Sequence, residues 1–410
     1  MVVAGSRAVV GGLLILAVAC GPTLTGSGGD TSSTDSGGSD ATSASPGASH
    51  TGGSADASST GEGDETTGSA SPPAVQTWTF EHHSDFPVHA FCDVAARPDG
   101  SVFVSGTGSV DINAEQIGGA GWLARLDANG ELVDIVDLPE DHAPLSLSVD
   151  PSGRIFMVGT RGTYPSSGEH FFALWNDDLV QQWVDAENSG WGFWSCATYW
   201  SGLADGAALD DGTLVARHEH AGSTVRIFDP TGIVRAEENA GGSVHDFHTI
   251  AVTGPDTFAV LGERSPTVYG DDWVVRHYDT AGAVLWEQTA PGIPGSLIAV
   301  ESEPWHFFSG PPGGEPTLHR HSAVDGAFTT ADLPSAFGVW ETACAWAGSI
   351  VTVQPGRDEL TAWTPDLDPV WTLDLDVPPP ELAGSKLIPG ADGALYLVVG
   401  QWMTKIVLGA

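Results

Sequence analysis

Val75-Gln76-Thr77-Trp78-Thr79-Phe80 reads as a β-strand that opens the folded part of the chain without a hairpin partner beside it. Val, Thr, Trp and Phe are the residue types that suit a pleated, half-buried surface. At the opposite end, the stretch from Ser385 to Ala410 has room for only three strands. One strand too many at the start and one too few at the finish fit together if the first strand completes the last sheet. A ring closed in this way has no open edges left to aggregate.

Between these ends one pattern recurs: an apolar strand, a tight turn, a second hydrophobic strand, a variable loop, a third strand, an Asp-x-x-Gly-like turn and a fourth strand. Seven copies can be laid out on the first turn, at Pro98-Asp99-Gly100, Pro151-Ser152-Gly153, Asp210-Asp211-Gly212, Gly254-Pro255-Asp256, Glu303-Pro304, Ala347-Gly348 and Asp392-Gly393. Third strands such as Trp122 to Leu126, Val225 to Phe228 and Trp273 to Tyr278 close at Asp127-Ala128-Asn129-Gly130, Asp229-Pro230-Thr231-Gly232 and Asp279-Thr280-Ala281-Gly282. There an Asp side chain caps the turn and Gly takes a positive φ. Trp78 falls where other units place the fourth-strand residues Trp183, Trp286 and Trp371. Equivalent turns are 44 to 59 residues apart, the range of a four-stranded propeller blade. Amphipathic helical periodicity is absent. The expected fold is all-β, a seven-bladed β-propeller over 75–410, with six or eight blades as the alternative counts.

Tyr278-Asp279-Thr280-Ala281-Gly282-Ala283-Val284-Leu285-Trp286 and Leu126-Asp127-Ala128-Asn129-Gly130-Glu131-Leu132-Val133 resemble the PQQ-like repeats of bacterial β-propellers. That resemblance implies the fold and is nearly silent on activity. The quinone-dependent dehydrogenases of the superfamily use an adjacent Cys pair, whereas no two Cys are adjacent here.

Three charge regimes divide the 410 residues. Arg7 precedes an apolar run from Ala8 to Ala19, too short for a permanent anchor, which is the grammar of an export signal over 1–19. The run ends in Leu16-Ala17-Val18-Ala19-Cys20-Gly21, which resembles the lipobox of bacterial lipoproteins, with Ala17 where that family places Leu. The resemblance implies that Cys20 is lipidated and becomes the mature N-terminus. Gly21 rather than Asp after the Cys implies the outer membrane; ordinary secretion is the alternative. Residues 20–74 are mainly Gly, Ser, Thr, Ala and Asp with no Phe, Tyr or Trp, a composition that cannot offset its ordering entropy by burial and reads as a disordered tether. A tethered propeller of this size is similar in architecture to the lipoprotein of the outer-membrane β-barrel assembly machinery.

Residues 75–410 carry 46 acids, 13 bases and all 15 Trp, within a formal net charge of -39 for the whole chain. That balance argues against nucleic acid, whose phosphates must be met by clustered cations, and against a polybasic grip on anionic lipid. Any contact with the membrane is therefore expected through Cys20 alone.

In a propeller the first strand of each blade lines the axis and its start faces one rim. His89, His142 and His245 occupy one repeat position there, and His248 and Cys92 stand close by in sequence. Two readings stand: imidazoles converging as ligands of a divalent metal, or histidines bonded to neighbouring backbone carbonyls and repeated by common descent. His218 and His220, and likewise His319 and His321, alternate onto one face of a strand; a pair at this spacing can chelate a metal, but an exposed strand edge is the expected setting. The longest connection between blades holds Trp191, Phe193, Trp194, Tyr199 and Trp200, aromatics suited to a sugar ring or a peptide, or else to a lid over the channel. Cys92, Cys196 and Cys344 admit any of three pairings; Cys92 and Cys344 are expected to be buried, inert thiols. Arg125, Arg226, Arg276, Arg320 and Lys405 fall on third strands and are expected to form ion pairs between blades. No phosphate-binding loop or nucleophile elbow occurs, and no cofactor signature is identified. The expected function is a non-enzymatic binding or scaffolding lipoprotein with a protein or glycan partner in the cell envelope. An extracellular polysaccharide hydrolase or lyase, or a metal-binding protein, built on the same rim histidines is the alternative.

Overall fold

The computed structural model describes residues 74–81, 88–109, 120–139, 141–163, 167–188, 204–219, 223–239, 246–263, 272–291, 293–309, 316–333, 342–353, 359–375, 386–400 and 402–409. They form seven four-stranded antiparallel sheets and no helix. Blades one to six take their strands in chain order from 88–137, 142–188, 204–239, 246–291, 293–332 and 342–374. Blade seven joins three strands from 386–408 to Ala74–Glu81, which lies outermost against Trp402–Leu408. Its register runs from Ala74 opposite Leu408 to Glu81 opposite Trp402, with Trp78 opposite Lys405. The chain is a seven-bladed β-propeller closed by its N-terminal strand. Among the described residues no helix is long and apolar enough to cross a membrane.

The core is divided among the seams between consecutive blades rather than gathered in one centre. One cluster joins blade seven to blade one through Tyr396, Val398 and Met403 against Phe91, Val104 and Trp122; the next joins blade one to blade two through Phe103 and Leu123 against Met157 and Phe171. Strand periodicity explains the division. Trp122, Ala124 and Leu126 point into one seam while Leu123, between them, points into the other. Inner strands are covered on both faces and therefore read as continuous apolar runs, as in Leu395–Val399, which is buried along its whole length. The outermost strand of blade one, Leu132–Asp137, is exposed along most of its length and carries the acids.

The turn between third and fourth strands clasps neighbouring blades. Asp127 Oδ1 accepts N–H groups from Asn129 at 2.8 Å and Glu131 at 2.9 Å; Asp229 and Asp279 repeat the arrangement two and four residues on. The Gly of the turn then takes a φ of +83° at Gly130 and +88° at Gly232. Its missing side chain makes room for the fourth-strand indole of the preceding blade. A Cβ on Gly130 would lie 2.7 Å from Trp78, on Gly232 2.2 Å from Trp183, and on Gly326 2.5 Å from Trp286. Two of these indoles also donate N–H into the turn they cover, Trp78 to the Ala128 carbonyl at 3.2 Å and Trp286 to the Ala323 carbonyl at 3.1 Å. The turns of blades two and six carry Leu179 and Leu367 at positive φ instead. Both leucines are buried beside residues of the preceding blade, Leu179 near Val136 and Leu138 and Leu367 near Ala331 and Leu333, filling from the turn the space that an indole fills elsewhere.

One turn lies elsewhere than expected. In blade five Glu303-Pro304 begins the second strand, and the turn is Glu301-Ser302, both at positive φ. Such a turn ordinarily selects Gly or Asn; Glu301 and Ser302 bear neither mark.

Candidate functional site

Three charged residues on first strands tie the blades together around the axis. Asp93 of blade one accepts N–H groups from Val94 at 3.0 Å and from Leu147 of blade two at 2.8 Å. Asp205 of blade three accepts the Ser146 hydroxyl of blade two at 3.1 Å and the Ile250 N–H of blade four at 3.1 Å. Lys386 of blade seven donates to the Leu145 carbonyl of blade two at 2.9 Å and lies 3.5 Å from Asp93. Burial pushes the Asp93 carboxyl above its ordinary value, with Lys386 and the two N–H donors opposing. These groups spend their hydrogen bonds on backbone and hydroxyl groups of other blades, so their chemistry is that of struts.

Of the histidines singled out at the rim, the side chains of His142 and His248 are described. His142 starts the first strand of blade two with Nδ1 2.9 Å from Asp141 Oδ1 and its ring 4.9 Å from Phe171. His89 pairs with Gly108 in blade one; its side chain, like all of His245, lies outside the described residues. Trp191, Trp194, Tyr199 and Trp200 of the aromatic connection, Cys196, His220 and Cys20 also lie outside them. Cys92 is disulfide-bonded rather than a free buried thiol, and its partner lies outside the described residues. Cys344 is free and buried, and burial pushes its thiol up to about 12.

Four of the five third-strand cations do bridge blades. Arg226 reaches Glu187 of blade two at 2.5 Å and Glu237 of its own blade at 2.6 Å; Arg276 reaches Glu238 of blade three and Glu287, each at 2.6 Å. Arg125 and Arg320 contact Asp177 and Asp366 of the following blades, whereas Lys405 pairs within blade seven with Asp392 at 2.7 Å.

His319 and His321 are not at an exposed edge. They are 4% and 0% exposed, because the third strand of a blade is covered on both faces. Leu318, with opposite parity, belongs to the cluster shared with blade six, so His319 and His321 face blade four. His306, on the neighbouring strand Glu303–Ser309, lies directly opposite His319 and faces the same way between Trp305 and Phe307. Ligand nitrogens of His306, His319 and His321 all lie within 4.8 Å of one another, the one such group of histidine, cysteine or carboxylate side chains among the described residues. Blade four covers them with aromatic rings. Trp273 stands 4.6 Å, 5.1 Å and 5.7 Å from the three imidazoles, Trp286 stacks on His321 at 5.7 Å, and Phe328 of blade five stacks on His319 at 4.3 Å. His321 Nδ1 lies 3.3 Å from the Gly326 carbonyl, a contact that places its proton on Nδ1 and leaves the Nε2 lone pair for the cluster. Desolvation holds His319 and His321 down at about 4 and pushes His306 well below its ordinary value, with His321, His319 and His248 adding to the effect on His306. All three imidazoles are therefore neutral at neutral pH.

No protein-family profile matches the chain, and no curated protein resembles it significantly. Among solved structures it is similar to a streptogramin B lyase, with 12% identity and a TM-score of 0.51 over 81% of this chain and 98% of that one. It is also similar to the Pan2 WD40 domain of Neurospora crassa, with 8% identity and a TM-score of 0.53 over 81% and 94%. BamB from Moraxella catarrhalis aligns with 12% identity and a TM-score of 0.42 over 82% and 98%. At such identities the first two likenesses show the propeller fold alone.

Proposed function

We propose that the chain is a lipid-anchored, non-enzymatic propeller of the cell envelope that binds a protein or glycan through its rim loops. The observation that supports this reading is the use made of the axial charges. Asp93, Asp205 and Lys386 join blades to one another and so stiffen a platform on which the loops are displayed. Recognition then falls to the connections, of which the one holding Trp191, Trp194, Tyr199 and Trp200 has the composition of a contact surface. The net charge of -39 restricts the partner to a cationic or neutral one, or one bridged by divalent ions. Cys20 supplies the membrane attachment and 20–74 the reach.

The test uses the full chain expressed with its own signal. Labelled palmitate should enter the native protein and not Cys20→Ala. A glycan array and crosslinking in whole cells, each run with a Trp191→Ala/Trp194→Ala variant, should give binding that the variant loses. New reducing ends or unsaturated uronate products from an envelope polysaccharide would overturn the non-enzymatic reading.

A further inference from the structure

We propose that His306, His319 and His321 form a three-coordinate copper(I) site buried in the seam between blades four and five. Nothing in the scaffolding role requires it. The seam gathers His277 and His248 as well, whereas most other seams hold few histidines or none among the described residues. Aromatic packing alone would explain large rings here, but it does not require nitrogens brought within 4.8 Å of one another from two adjacent strands. Trigonal binding at about 2.0 Å from each nitrogen would separate them by roughly 3.5 Å, a closure within reach of small side-chain rotations. The His321 contact to the Gly326 carbonyl is the outer-shell arrangement that fixes a ligating imidazole and turns its other nitrogen to the metal.

The choice of ion follows from charge. The three ligands are neutral, and no carboxylate or thiolate belongs to the group. A bound divalent ion would keep its whole double charge in a seam lined by Trp273, Trp286 and Phe328. Born solvation cost grows with the square of charge, so a monovalent ion is disfavoured one quarter as strongly. Imidazole suits copper. Because the triad is 0–4% exposed, the metal enters as the blades close and leaves slowly.

The full-length protein, refolded anaerobically with copper(I) and ascorbate, which keeps the metal reduced and spares the Cys92 disulfide, should retain one equivalent against bicinchoninate. X-ray absorption should show three nitrogen scatterers at about 2.0 Å and no sulfur, and Trp273 beside the triad should make indole fluorescence fall on loading. His319→Gln should lower copper affinity at least tenfold, and His170→Gln, in the seam between blades two and three, should leave it unchanged. Sulfur scatterers, tighter retention of zinc(II) than of copper(I), or equal affinity in His319→Gln would each overturn the assignment. If His319→Gln fails to fold, the absorption spectrum of the unaltered protein decides the question.

Discussion

Gly232→Ala probes the clasp between blades two and three. Two costs are expected. An L-residue forced to a φ of +88° costs about 1–2 kcal/mol. The new methyl would also lie 2.2 Å from Cε2 and 2.4 Å from Nε1 of Trp183, so the indole must leave its place. Trp183 lies 5.6 Å from Phe228 and 6.4 Å from Phe156, and losing those ring contacts costs about 0.5–1.5 kcal/mol each. The sum is about 3 kcal/mol. Gly348→Ala is the internal control, since Gly348 has a φ of +76° with nothing within 4 Å of the added carbon, and it should cost about 1 kcal/mol. In a Trp183→Ala background the clash is gone and Gly232→Ala should again cost only about 1 kcal/mol, leaving a coupling of roughly 2 kcal/mol. Guanidinium unfolding followed by tryptophan fluorescence gives all four values. Equal losses at Gly232 and Gly348, or a Gly232→Ala cost unaltered by removing Trp183, would refute the clasp.

Other perturbations have signed outcomes. Arg226→Met leaves Glu187, Glu237 and Asp185 facing one another at a seam and should lower stability by about 1–3 kcal/mol, partly restored by added salt; no loss in thermal midpoint would show the pairs to be ornamental. Because Asp93 titrates above 3.8 when folded, its protonated form adds stability that is complete below 3.8 and lost as pH rises through the folded value. Lys386 and Asp205 are the charges that act on it. Asp93→Asn should therefore gain on the native protein as pH rises toward neutrality, and parallel stability curves would contradict the assignment. Cys344, with its thiol pushed up to about 12, should resist a thiol reagent until denaturant is added, as peptide mapping by mass spectrometry would report.

The ring was legible because its evidence is local: the Asp-x-x-Gly turns name themselves through the Asp cap and the positive φ, and Trp78 shares its turn partner with Trp183 and Trp286. Glu301-Ser302 was not, since neither residue is one that a left-handed turn selects. The histidine cluster was half legible. Alternation put His319 and His321 on one strand face, but only the blade order says that the face is covered by Trp273 and Trp286. His306 gave no signal, because its pairing with His319 depends on a register set across a connection of variable length. A search for histidines of matching parity on second and third strands of one repeat would have found it.

The Thr404 hydroxyl donates to the Trp78 carbonyl across 326 positions of chain. Loop closure over such a span carries a large entropic cost and falls late in folding. During synthesis Ala74–Glu81 waits, unmatched, until Trp402–Leu408 has been made. Until blade seven closes, Ala74–Glu81 keeps bare the backbone edge that pairing with Trp402–Leu408 later covers, so the two ends of the ring become stable only together.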